Sequence, residues 1–138
     1  MSRGLNNNNP GNLRCGSFTY CGEIPQSTDI SFRQFYTIQW GYRALFICLR
    51  YYLLILKLDT IEKIIYEYAP QNENNTGVYI TKVCQSVGKC KDDIITWNDK
   101  DTIVKIVEAI SYVENGVEAV HTDVIIGYSF VELKQYKE

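Results

Sequence analysis

Apolar and polar positions divide this chain into two unlike parts. Up to about residue 36 no helical period is present. Aromatic and β-branched residues in 17–23 and 31–36 are separated by Pro25, Ser27 and Asp29, the pattern of a loop followed by a short β-hairpin. From Thr37 the period turns helical. Over 38–58 the side chains Leu45, Ile47, Leu49, Leu53, Leu54 and Leu56 surround the axis, and a helix apolar on every side belongs at the centre of a core. Asp59, with Glu62 three residues on, resembles a capping box that starts a second helix. Ile61, Ile64, Ile65 and Tyr68 form its apolar face, and Pro70 ends it. After a polar loop at 71–75, a third helix is predicted over 76–87, stopped by Gly88. Residues 89–100 connect, with Trp97 as an anchor. A fourth helix starts near Asp101, carries Ile103, Ile106, Val107 and Ile110 as a stripe, and ends at Glu114-Asn115-Gly116. Thr122 caps a last helix bearing Val124, Ile125, Phe130 and Leu133. The expectation is one domain spanning 1–138: mainly α, a helical bundle around a central buried helix, with a small N-terminal β-hairpin.

Composition narrows the functional classes. A chain of 138 residues with 46% hydrophobic content can bury a sizeable core. A net charge of −2 supplies no basic field, so nucleic acid is the least supported partner. Met1-Ser2-Arg3-Gly4 opens no apolar stretch, so no secretory signal is expected. The most apolar segment, 44–58, carries Arg50 and Lys57 and is shorter than the ~20 residues that span a bilayer, so no transmembrane segment is expected. Cysteines number five. Free thiols are the default without a signal, and a Cys15–Cys21 staple is the alternative outside the cell. No Cys-x-x-Cys occurs, and His121 is the only histidine, which argues against zinc. Asn98, Asp99 and Asp101 lack the glycine and distal glutamate of a calcium loop and read as a helix N-cap. Neither metal nor cofactor is expected.

Candidate chemistry lies at both ends of the chain. The run Asn7-Asn8-Asn9-Pro10-Gly11-Asn12-Leu13-Arg14 packs amides, a turn and a guanidinium into eight positions, the groups by which proteins hold sugars. Asn9, Asn12 and Arg14 are its candidate substrate contacts, and a solvated turn is the plainer reading. Glu114 closes an amphipathic helix, where the dipole disfavours a carboxylate and favours its protonated form. That suits a general acid, although an exposed helix-end glutamate is the commoner fate. Tyr68 and Tyr79 flank the loop that holds Glu73 and Asn74. Tyr68 can donate to a reacting oxygen or simply pack in the core. Glu73 is a second carboxylate or a solvating loop charge, and Glu23 is a third candidate or a surface charge.

These residues also carry a resemblance. Arg3-Gly4-Leu5 through Arg14 resembles the RGIRNNNPGNIR opening of small phage and prophage proteins related to lysozyme-like, peptidoglycan-degrading domains. The likeness continues through Phe32 to Phe35, Trp40-Gly41-Tyr42-Arg43-Ala44, Tyr68-Ala69-Pro70, Glu73-Asn74-Asn75-Thr76, Tyr79 and Glu114-Asn115-Gly116. The order is similar to that of soluble lytic transglycosylases and goose-type lysozymes if the chain is circularly permuted, with the catalytic helix moved to the C-terminal end. The resemblance implies an α+β lysozyme-like fold and cleavage of the MurNAc–GlcNAc bond in peptidoglycan. It assigns catalysis to Glu114, Tyr68 and Glu73, and substrate binding to Asn9, Asn12, Arg14, Asn74 and Tyr79. It also implies action at the cell wall after lysis or particle delivery, or residence in a virion among other virion proteins. The chain departs from the pattern at Asn6, where arginine is usual, and at Tyr20, where tryptophan is usual. It also lacks Asn-Ala-Gly after Tyr68.

Overall fold

A computed structural model describes residues 1–132. Leu133, expected on the last helix, lies outside the described residues. Among the described residues six helices follow one another: α1 Arg3–Asn6, α2 Ile38–Leu54, α3 Ile61–Tyr68, α4 Thr76–Val87, α5 Lys100–Asn115 and α6 His121–Glu132. The class is mainly helical. No helix among the described residues is long and apolar enough to cross a membrane.

Each helix boundary has a local cause. Thr37, Thr60, Asn75 and Asp99 are the N-caps of α2 to α5, each accepting from a backbone N–H in the first turn. Thr60, not Asp59, therefore starts α3. Gly88 and Gly116 end α4 and α5 in the left-handed conformation, at φ 77° and 74°. α2 stops at Leu54 rather than 58, and Lys57 turns the chain with φ 58°.

Helix α2 is the central one from Gly41 to Leu49, where Tyr42, Leu45, Phe46 and Leu49 are buried. α6 lies along it. Gly127 makes that approach possible: a β-carbon there would stand 2.7 Å from Tyr42 Cβ and 2.9 Å from the Gln39 carbonyl. Trp40 and Phe130 pack across the same seam with ring centroids 4.6 Å apart. α5 contributes Ile103, Ile106, Val107 and Ile110 to the core, and α4 contributes Ile80 and Val83. All five cysteines are free thiols.

The predicted N-terminal hairpin does not form, and with it goes the α+β class. Among the described residues, β-pairing is limited to isolated antiparallel bridges, Arg14 with Phe32 and Glu23 with Phe35. Backbone bonds between the limbs are few, such as Arg33 N–H to the Leu13 carbonyl and Cys15 N–H to the Ser31 carbonyl, both at 2.9 Å, and side chains take up neighbouring backbone groups. Asn9 Nδ2 donates to the carbonyls of Leu13 and Arg33, both at 2.9 Å. Arg33 Nε donates to the Arg14 carbonyl at 2.8 Å, and Asp29 accepts from the N–H groups of Ser31 and Phe32. Backbone groups so engaged cannot propagate a sheet.

Candidate functional site

Glu114 follows Ile110 by four positions and Val107 by seven, so it continues the buried stripe of α5 rather than its wet face. Half-buried, it receives two hydrogen bonds. Asn12 Nδ2 donates to Oε1 at 2.7 Å, and the Tyr79 hydroxyl donates to Oε2 at 2.8 Å. Burial, followed by the adjacent Glu114 charge, pushes the Tyr79 phenol well above its ordinary pKa, so it stays a donor. Asn12 reaches Glu114 from a left-handed backbone, φ 52°, a conformation asparagine tolerates.

Asn115 fastens the same helix end to the N-terminal segment. Its Nδ2 donates to the Pro10 carbonyl at 2.8 Å and the Ser111 carbonyl at 2.9 Å, and its Oδ1 accepts from Ser2 Oγ at 2.7 Å. Gly4 allows this closeness, since a β-carbon would stand 2.6 Å from Asn115 Oδ1 and 2.8 Å from Asn12 Oδ1. The three residues of Glu-Asn-Gly thus divide the work: one faces the cleft, one ties the loop, one ends the helix.

A cleft of about 360 Å³ opens above Glu114. Asn12, Arg14 and Phe32 line it from the N-terminal segment. Tyr52 and Glu67 line it from the helices, and Tyr68, Pro70, Glu73 and Asn74 from the end of α3 and the loop beyond. Arg14 and Glu73 form an ion pair at 3.6 Å. Six of the eight site residues expected from sequence therefore border one space: Glu114, Tyr68, Glu73, Asn12, Arg14 and Asn74.

The other two have different places. Asn9 has no exposed surface. Its amide oxygen accepts from Leu13 N–H at 2.9 Å, and its nitrogen serves two carbonyls, so it shapes the loop and touches no ligand. Tyr79 is buried beneath the cleft and holds Glu114. Tyr68 borders the cleft, but its hydroxyl donates to the Gly11 carbonyl, and burial raises its phenol pKa well above normal. Glu23 is engaged elsewhere, in an ion pair at 2.5 Å with the buried Arg33. Sequence reasoning gave no site role to Asn115 and Phe32, which it named only within the resemblance, and missed Ser2, Tyr52 and Glu67. Of these, Asn115 had a visible signal, an amide between a site carboxylate and a helix-ending glycine. No group of three or more His, Cys, Asp or Glu side chains among the described residues is placed to hold a metal.

No protein-family model matches this sequence. The chain is 36% identical over 118 residues to Protein P5 of Pseudoalteromonas phage PM2, an alignment spanning 83% of this chain and 72% of that protein. At that identity and coverage, the chain belongs to the phage protein family that includes Protein P5 of PM2.

Proposed function

We propose that the chain is a peptidoglycan glycosidase, of lytic transglycosylase or muramidase type, with Glu114 as its acid. One observation carries the reading: a single carboxylate is held by Asn12 and Tyr79 at an open cleft bordered by amide, guanidinium and aromatic groups. The Asn12–Glu114 bond also supports the permuted lysozyme-like order, which requires the closing helix to meet the Asn-rich segment. Each carboxylate oxygen keeps a second acceptor position for a substrate proton.

In this mechanism Glu114 protonates the leaving glycosidic oxygen as the MurNAc–GlcNAc bond breaks. Acting alone, it next takes the proton of the muramoyl 6-hydroxyl, which closes on the anomeric carbon to give an anhydro product. Glu73 or Glu67, both bordering the cleft, supplies the second carboxylate if water instead of the 6-hydroxyl takes the anomeric carbon and the bond is hydrolysed. Tyr68 fixes the Gly11 turn beside the reacting groups, and Arg14 and Asn74 meet the glycan. The enzyme reaches the wall after lysis or by delivery in a particle.

The test is digestion of purified peptidoglycan by the wild type and Glu114→Gln, with mass spectrometry of the soluble fragments. The expected loss in the variant is about 100-fold or more, the scale of general acid catalysis. Anhydro-muropeptides identify a transglycosylase and reducing ends a hydrolase. Retained activity in Glu114→Gln sinks the assignment.

A second reading is a virion structural or glycan-binding module. It is favoured by the fact that both Glu114 oxygens already accept protein donors and that Arg14 is paired with Glu73. It predicts no soluble fragments from the wild type and a stable oligomer or partner complex.

A further inference from the structure

Three carboxylates border the cleft, Glu67, Glu73 and Glu114, against one cation, Arg14. A neutral glycan needs no compensating charge there. An anionic one meets repulsion everywhere except at Arg14. The placement of Arg14 is well defined. Its backbone bridges to Phe32, its carbonyl accepts from Arg33 Nε at 2.8 Å, and its guanidinium lies 5.0 Å from the Phe32 ring centroid. A guanidinium over a ring presents its N–H edge outward, the geometry that takes a carboxylate. Glu73 now occupies it, from an exposed turn closed by its own N–H to the Pro70 carbonyl at 3.1 Å. Both partners of this 3.6 Å pair are about half exposed, and such pairs are weak enough for a ligand carboxylate to displace.

We propose that Arg14 reads a carboxylate on the glycan, and that Glu73 is an internal stand-in for that carboxylate, released when the anionic strand enters. This rests on the glycosidase reading and adds to it a basis for choosing substrate. Two sources present the same chemistry, the lactyl ether of MurNAc and the carboxylates of the stem peptide.

The experiment measures binding of three soluble ligands by calorimetry: peptidoglycan strands bearing stem peptides, strands stripped of them, and a chitin oligosaccharide with no carboxylate. The full chain is compared with Arg14→Gln and Glu73→Gln, each checked for an unchanged thermal melt. The wild type is expected to bind anionic strands, with Arg14 as their one favourable charge contact. Arg14→Gln should lower their affinity about tenfold while leaving chitin binding unchanged, the scale of one exposed charge-assisted contact. Glu73→Gln should raise it several-fold for anionic strands only. Tighter binding of stripped strands assigns the lactyl carboxylate, and loss of binding on stripping assigns the peptide. Equal weakening of charged and neutral ligands by Arg14→Gln overturns the proposal while leaving the glycosidase reading standing. Failure of all three ligands to bind overturns both.

Discussion

The asparagine run near the start of the chain and the leucine-rich end of α2 have exchanged the environments their composition suggests. Asn9 is 0% exposed and Asn7 is buried, whereas Leu54 is 46% and Ile55 63% exposed. What separates them is partner supply. Both polar atoms of the Asn9 side chain meet backbone groups of Leu13 or Arg33, so burial leaves that side chain no unsatisfied hydrogen bond. Asn7 is likewise engaged, with Asp29 and Gln34. Leu54 closes α2 and Ile55 follows it, and neither is enclosed by a neighbouring element. Polarity thus decides what a side chain needs from its surroundings. The neighbouring elements decide whether it is enclosed.

The comparison can be broken most forcefully at Asn9. Asn9→Ala strands the Arg33 carbonyl and the Leu13 N–H in the interior, while the Leu13 carbonyl keeps the Arg33 N–H, and should cost about 2–4 kcal/mol in a urea titration. A loss below 1 kcal/mol would mean that the loop does not depend on its amide. Next is Gly4→Ala, which forces a methyl against Asn115 and Asn12 and should cost about 1–3 kcal/mol in thermal unfolding. An unchanged melt would show that α1 can retreat freely.

Asp29 gives a smaller effect, one that fades in acid. Its hydrogen bonds from Arg3 first, and then from Ser31 N–H, hold the carboxyl far below the usual carboxylate range. A depressed folded-state pKa adds stability above the unfolded value of about 4, lost as pH falls below it. Asp29→Asn should therefore lower stability at neutral pH and flatten its decline between about pH 4 and pH 2. An unchanged acid limb would show that the Arg3 pair adds nothing. The smallest effect belongs to the other region. Ile55→Asn should shift stability by no more than about 0.5 kcal/mol, and a large loss would reveal that the α2 end is covered in solution.

How legible these regions were differed for physical reasons. The bounds of α4 and the glycine ends of α4 and α5 could be read because the caps are local: Asn75, Gly88 and Gly116 act within a few residues. The closing boundary of α2 was misread because an unbroken apolar run continues past Leu54, while the turn through Lys57 has no sequence mark. The 14–35 segment differs from a hairpin because its backbone pairing stops at isolated bridges, and further carbonyls are taken by side chains distant in sequence, such as Asn9 and Arg33. Glu114 stood out because it closes an amphipathic helix, and only the structure shows that it continues the buried stripe of α5. Its two donors come from positions 12 and 79, and the Tyr79 hydroxyl, read as a ligand contact, turned inward.

The Asn12–Glu114 bond joins residues 102 positions apart, and Ser2–Asn115 joins residues 113 apart. Contacts of that span return nothing until nearly the whole chain has been brought together. The helix that presents Ser2 and Gly4 is four residues long, too short to persist without its docking partner. A nascent or partly opened copy therefore possesses the acidic residue but lacks the arrangement that makes it a site. The surroundings of Glu114 are thus assembled only as the two ends of the chain meet.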